Sequence, residues 1–549
     1  MDKPIKTFRI NWIEFLFLLI AYLFGLYFRL QPRLAIDPHL LTMNADIWER
    51  LAMAQYMLDH GRLPEYCLRY IAYGKVPFWY PPFGPIALAM LSKISALDLP
   101  TVCSRIIPFI ESLAPLPFSF LARWLYGRCT GYISMIILTL TPAFIYWTGI
   151  ATPASLTLFL LPIYIILLLL RSKNDNLPNK NRLFWILGLG SLLAINFLTH
   201  LTYFLALIIL LFISLLLFIK TKNQAKKISD FFLAVLFSQI ITAFWWAPKN
   251  LYWWWIFALT TSSGLQSHLS QLKDYGVITA ILKIEFLVIY IFWVLRKNNS
   301  ANRHNWLALV WMFLPFLETQ NEIILKMFNR LDLSWSTLFK PLEGFRFFCF
   351  FAQPLALIVG ALIARFIALE IKQMKTACVI VVIFLAGILT VDLNGLFKIS
   401  GRFQNAGINT KEYEAAVWFR NNSTQNDRII ADYYRSQVLA GVCAGRALLG
   451  ALFPLRNVNI PFVTVPAVVH NDIYSIYATP DPKEAAELMQ TYGCSHIFIS
   501  PGLITGGGFA SEYKDGFGVD VDLKKFENRR YFTEVYSEPI SKIRIFKLR

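Results

Sequence analysis

The chain has 549 residues, of which 56% are hydrophobic, 16% aromatic and only 16% charged, and Lys and Arg outnumber Asp and Glu 52 to 34. Such a composition excludes a soluble globular chain and describes a polytopic membrane protein. The formal net charge of +18 does not mark a nucleic-acid binder, because much of the basic excess lies in short loops between apolar segments, where membrane topology accounts for it.

A membrane-crossing helix needs roughly 20 apolar residues. About eleven segments meet or approach that length: 11–31, 104–122, 131–149, 154–171, 183–199, 202–219, 230–247, 277–295, 304–317, 346–366 and 377–394. Runs 84–95 and 251–260 are shorter and read as interfacial or re-entrant pieces. The first span lacks a small-residue cleavage site and continues into Tyr27-Phe28-Arg29-Leu30, so it is expected to stay as an anchor.

Basic residues set the orientation. Lys3, Lys6 and Arg9 precede the first span, and Arg123 with Arg128, Arg171 with Lys173, Lys180 and Arg182, Lys220 to Lys227, Arg296 to Arg303, and Lys372 with Lys375 all fall on the same side of an eleven-helix chain. That side is the cytoplasmic face of a plasma membrane, which leaves the N-terminus inside and the C-terminal part outside.

The loop 32–83 is then external. It carries Asp37, His39, Asp46, Glu49, Arg50, Asp59, His60 and Arg62, and closes on Phe78-Trp79-Tyr80-Pro81-Pro82-Phe83-Gly84-Pro85. Trp48 to His60 is helical in pattern, with Leu51, Ala54, Gln55 and Leu58 on one face. Asp46 falls near that helix's N-terminus, where a carboxylate is electrostatically favoured. It reads either as a helix cap or as an acid held at the outer membrane face, available as a base or a metal ligand.

Further along, His200 sits at the outer end of a span, and Phe244-Trp245-Trp246 to Tyr252-Trp253-Trp254-Trp255 reads as an interfacial aromatic belt or a groove for a lipid chain. Arg346 heads a span in Gly344-Phe345-Arg346-Phe347, where a guanidinium either snorkels to the interface or offers a fork of donors to a phosphate. No span visibly repeats another, and ionisable residues sit at helix ends rather than along a path through the membrane, which counts against a transporter.

From about Phe403 the chain turns polar. Helices are expected over 412–421 and 482–492 and strands over 428–434 and 496–500, an alternation that indicates a small extracytoplasmic α/β domain over 403–549 beside a membrane domain over 1–396. Cys443 and Cys494 both lie in this outer part. They read as free structural thiols or as a disulfide, and no cysteine spacing matches a metal knuckle. Gly506-Gly507-Gly508 reads as a turn, since no basic residue or helix start follows as a phosphate loop requires.

Several of these features assemble into one pattern. The first span ends in Arg29-Leu30, and Asp46-Ile47-Trp48 follows in the first external loop, ahead of Pro81-Pro82. Thr141-Pro142 closes a later helix, Arg346-Phe347 heads a late span, and Asp432-Tyr433 follows Ile429-Ile430-Ala431, with Gly441 and Gly445-Arg446 beyond. Together they resemble the GT-C superfamily of lipid-linked sugar transferases, and within it the catalytic subunits of oligosaccharyltransferases, whose first loop reads Asp-Pro-Trp and whose outer domain carries Trp-Trp-Asp-Tyr-Gly.

The resemblance implies a polytopic α-helical GT-C-like membrane protein that moves a sugar or glycan from a polyprenyl-phosphate-linked donor to a cell-surface acceptor. It implies Asp46 as the catalytic residue and Arg346, with Lys340, as the groups on the lipid phosphate. Trp48, His39, His200, Asp432 and Tyr433 are implied as further substrate-binding residues. Two departures bear on a cation. Where the resemblance implies a second acidic cluster, Gly149 is followed by Ile150-Ala151-Thr152-Pro153-Ala154-Ser155, and Thr260 to Gln266 also lacks an acid. A divalent ion such as Mg²⁺ or Mn²⁺ needs one or two carboxylates plus substrate phosphates, so Asp46 alone would hold it only with help from the lipid. Chemistry without metal and a non-catalytic assembly partner of the same fold are the alternatives.

Overall fold

In a bilayer every backbone N–H and C=O must find a partner within the chain, so long apolar segments have to be helices. The computed structural model describes residues 12–41, 45–65, 81–175, 177–200, 202–219, 221–247, 302–319, 348–370, 393, 395–398, 401, 408–431, 433–449, 472, 475–501 and 523–549. Its membrane part is built from α1 (Trp12–Leu34), α2 (Ala45–His60), α3 (Phe83–Ser95), α4 (Leu99–Thr101), a π-helical turn (Val102–Ile106), α5 (Ile107–Glu111), α6 (Pro115–Tyr126), α7 (Arg128–Leu140) and α8 (Pro142–Trp147). It continues through α9 (Ala154–Lys173), α10 (Asn179–Phe197), α11 (Thr202–Phe218), α12 (Gln224–Trp246), α13 (Asn302–Thr319) and α14 (Phe348–Glu370).

Glu14–Leu34, Leu99–Tyr126, Ala154–Lys173 and Gln224–Trp246 are long and apolar enough to cross a membrane, and shorter apolar helices run over Phe83–Ser95, Arg128–Leu140, Thr202–Phe218 and Cys349–Arg365. Trp12, Ile20 and Leu23 on α1 and Phe232, Leu236, Ile240 and Phe244 on α12 stay exposed, as side chains facing lipid do. Charges at helix ends are paired. Glu14 meets Arg123 and Arg128, each at 3.1 Å, Asp230 meets Arg171 at 2.7 Å and Arg182 at 2.5 Å, and Lys227 meets Asp175 at 2.6 Å.

Two expected spans are interrupted. The segment expected over 104–122 begins earlier, at Leu99, contains the π-helical turn and breaks at Ser112–Ala114 before restarting at Pro115. The segment expected over 131–149 stops at Leu140 and restarts at Pro142. Proline lacks the N–H that a continuing helix would use but is tolerated in a first turn, so each proline marks a new start. Gly127, with φ of 98° between α6 and α7, occupies a conformation that side chains disfavour. The run 84–95 is the helix α3, while 251–260, 277–295 and all of 377–394 but residue 393 lie outside the described residues.

The C-terminal part holds α15 (Thr410–Asn422), β1 (Ile429–Ala431), α16 (Tyr433–Val442), β2 (Ala447–Leu449), α17 (Pro482–Thr491), β3 (His496–Ile499), β4 (Phe532–Glu538) and β5 (Ile543–Leu548). A capping box starts α15, with Asn409 accepting from the Glu412 N–H and Glu412 from the Asn409 N–H. The sheet order is β2-β1-β3-β5-β4, parallel between β1 and its two neighbours and antiparallel from β3 outward.

Side chains alternate between the faces of a strand, and the cores follow that rule. Ile429, Ala431 and Phe498 join one cluster with α15, α16 and the membrane part's α2 and α3, while Ile430, Ile497 and Ile499 join another with α17. The strand expected over 428–434 ends at Ala431, because Tyr433 already begins α16. Cys443 and Cys494 are both free and buried, in clusters on opposite faces of the sheet. The Gly506-Gly507-Gly508 turn lies outside the described residues.

Candidate functional site

Arg29 lies in the apolar α1 yet is fully buried, so its donors must be met inside the protein. Nε donates to the Thr148 carbonyl at 3.0 Å, Nη1 to the Gly25 carbonyl at 2.7 Å, and Nη2 to the Thr148 hydroxyl. One turn on, Arg33 donates to the Gly149 carbonyl, and Arg105 donates to the carbonyls of Arg33 and, at 3.0 Å, Ile36. These guanidiniums pin the turn after α8 to the C-terminal end of α1.

Glu111, 6% exposed at the end of α5, meets the same turn from the other side. Its carboxylate is in hydrogen-bond reach of the Ala151 N–H and the Ser155 hydroxyl, with the charges of Arg29 and Arg33 beside it. Ala151 is left-handed, with φ of 52°. It packs against the apolar cluster that contains Ile47, Trp48 and Leu51 of α2. The turn over 148–155 therefore shares a core with the first turn of α2, where Asp46 is the second residue.

The segment after α1 meets the C-terminal part beside that cluster. His39 Nδ1 lies 2.7 Å from Asp37 and Nε2 lies 2.9 Å from Asp98, which also caps α4 by accepting from the Thr101 N–H at 3.0 Å. The Tyr413 ring of α15 stacks on His39 at 4.8 Å, and its hydroxyl donates to Asp98 at 3.4 Å. Burial and the Asp98 charge push the Tyr413 hydroxyl above its ordinary value. At Asp37 burial works upward but is outweighed by hydrogen bonds from the His39 backbone and ring and from Thr410, which hold the carboxyl below its ordinary range. Arg420 of α15 donates to Asp59 of α2 at 2.8 Å, closing the seam.

The residues expected at the site separate into groups. His39 belongs to the seam, and Trp48 is buried at 5% exposure against α16. His200 stands two residues before α11, where Nδ1 accepts from the Thr202 N–H at 3.2 Å. Tyr433 is the first residue of α16. The side chains of Asp46 and Tyr433, and Lys340, Arg346 and Asp432 altogether, lie outside the described residues. Glu111, Arg33 and Arg105 were not singled out from the sequence, although an acid inside an apolar run is itself a signal.

A divalent cation finds little support in these side chains. Among the described residues no group of three or more His, Cys, Asp or Glu is spaced to hold a metal ion. The buried carboxylate of Glu111 faces Arg29 and Arg33, whose charges oppose a cation there.

The described residues form an apolar helical bundle whose helix α2 packs on α16 of the C-terminal part, and the chain shares its fold with solved oligosaccharyltransferase and ArnT structures. It is similar to the oligosaccharyltransferase AglB from Archaeoglobus fulgidus, solved in complex with an inhibitory peptide and a dolichol-phosphate, with a TM-score of 0.63, 12% identity and coverage of 97% of this chain and 74% of that one. It is likewise similar to ArnT from Cupriavidus metallidurans bound to undecaprenyl phosphate, with a TM-score of 0.55, 13% identity and coverage of 97% of both chains. An Archaeoglobus fulgidus oligosaccharyltransferase in complex with Zn and sulfate matches with a TM-score of 0.57 at 14% identity, over 96% of this chain and 72% of that one. No protein-family model matches the chain. No curated protein matches it in sequence.

Proposed function

We propose that the protein is a membrane glycosyltransferase that moves a sugar or glycan from a polyprenyl-phosphate-linked donor to an acceptor at the outer face of the membrane. The observation that carries this reading is the place of Asp46, in the first turn of a helix whose next two residues are buried in the core shared with the 148–155 turn. A helix anchored in that core is a rigid mount, and pre-positioning is where such enzymes gain rate. The relatives named above were solved with dolichol-phosphate and undecaprenyl phosphate, which supports a lipid phosphate as donor.

The reaction is a displacement at the anomeric carbon with inversion. Asp46 takes the proton of the acceptor group, the acceptor atom bonds to the anomeric carbon, and the bond to the phosphate oxygen breaks with its electron pair leaving on the lipid phosphate. Arg346 and Lys340 neutralise that departing charge. Asp432 and Tyr433, at the carboxyl end of β1, where a ligand meets a parallel sheet, are the acceptor-side residues. His200 borders the lipid side. Trp48 and His39 act through the mount of α2 rather than on the substrate. No step is routed through a metal.

A second reading, a non-catalytic partner with the same fold, is favoured by the lack of any carboxylate in Ile150 to Ser155. Transfer from a panel of polyprenyl-phosphate-linked and pyrophosphate-linked sugars to endogenous membrane acceptors, with and without Mg²⁺ or Mn²⁺, separates the two. Transfer by the wild type that is lost in Arg346→Ala supports the transferase. No transfer from any donor by correctly folded protein supports the partner.

A further inference from the structure

The turn over 148–155 is held by charges that face it from two helices. Arg29 and Arg33 of α1 take the Thr148 and Gly149 carbonyls, and Glu111 of α5 takes the Ala151 N–H. Ala151 lies between these holds in a left-handed conformation. For a residue with a Cβ that conformation is strained and persists only where the surroundings impose it. The charges of Arg29 and Arg33 offset part of the cost of burying Glu111, and its Oε2 has no hydrogen-bond partner among the described residues. Nothing else in the mechanism uses this carboxylate.

We infer that Glu111 is a positioning residue for the transfer reaction. Its carboxyl group holds Ala151 left-handed, and Ala151 so held packs against the apolar cluster to which Ile47 and Trp48 belong, through which it sets the first turn of α2 and Asp46. The inference rests on Asp46 being the base.

The test compares Glu111→Ala, Glu111→Gln and the double variant Glu111→Ala/Ala151→Gly. Glycine adopts positive φ without strain and needs no hold, whereas a carboxamide oxygen still accepts from the Ala151 N–H. A misplacement of about 1 Å costs up to about 100-fold in rate. Glu111→Ala is therefore expected to lower kcat about 10- to 100-fold with the donor KM little changed. Glu111→Gln is expected to keep most of the rate, and Ala151→Gly to restore much of what Glu111→Ala loses.

A second readout does not need turnover. Thr152 is buried within the turn, so Thr152→Cys should react slowly with a membrane-impermeant maleimide, quickly once Glu111→Ala is added, and slowly again once Ala151→Gly joins both. Labelling that is indifferent to Glu111→Ala overturns the hold whatever the transfer assay gives, as does a kcat loss that Ala151→Gly leaves unrepaired. A wild type that transfers nothing while labelling follows the expected order overturns the reading of Asp46 and leaves the hold standing.

Discussion

The indole of Trp48 lies so close to Gly441 that a Cβ added there would come 2.7 Å from Trp48 Cε3 and 3.2 Å from the Trp48 carbonyl oxygen. This contact locks α2, which carries Asp46, to α16, which begins at Tyr433. Only glycine permits that approach. Alanine in a helix would ordinarily be preferred to glycine by about 1 kcal/mol, and here the clash reverses the sign. Gly441→Ala should destabilise by about 1–3 kcal/mol and Trp48→Ala by about 3–5 kcal/mol. The double variant should lose less than the sum, because both changes act on one contact. Thermal unfolding in detergent measures all three, and strict additivity would count against the contact.

Asp230 accepts from Arg171 Nε at 2.9 Å and Nη2 at 2.7 Å, and from Arg182 Nε at 2.5 Å. Arg171 and Asp230 are both fully buried. Asp230→Ala should therefore cost about 3–5 kcal/mol, since it leaves a guanidinium without its counter-charge. Replacing the pair, Arg171→Met with Asp230→Leu, should cost much less. Equal losses from the single and paired changes, read as shifts in unfolding midpoint, would contradict this account.

Acid should weaken the C-terminal part through His496. Burial lowers its pKa to about 4 against the pull of Asp427, with Lys547 adding in the same direction as burial. An unfolded histidine titrates near 6.5. Between those values the unfolded chain binds a proton that the folded chain refuses, so stability falls as pH drops from about 6.5 to about 4. At Asp427 burial is outweighed by hydrogen bonds from Thr424 and Ser495, which hold it at about 2. Its stabilisation is present above about 3.9 and is lost as pH falls toward 2, below the histidine window. His496→Gln should flatten the decline between pH 6.5 and pH 4 in thermal unfolding, and an unchanged slope would place its origin elsewhere.

The membrane helices were legible wherever lipid leaves the chain no alternative: α1, α9, α10, α11 and α12 fall within a few residues of the expected segments. Trp48 to His60 was readable because its apolar residues recur at helical spacing. The break before Pro115 was not legible because hydropathy does not register a missing N–H, whereas the helix end at Thr141-Pro142 was legible, although the apolar run 131–149 continues through it. Asp432 misled differently, since Ile429 to Tyr434 is apolar enough for one strand, yet the chain turns after Ala431 into α16. Strands β2, β4 and β5 carried no isolated signal, being either three residues long or partly exposed. The role of His39 could not be read locally, because two of its partners, Asp98 and Tyr413, are distant in sequence and meet only at the seam. Glu111 was hidden for the same reason, as its partners come from the turn after α8.

The most direct measurement is single-turnover transfer from a radiolabelled polyprenyl-phosphate sugar by wild type and Asp46→Asn, with lipid binding measured in parallel. The account predicts a loss of about 10²–10⁴-fold in transfer with donor binding retained. Transfer by Asp46→Asn at the wild-type rate would contradict it.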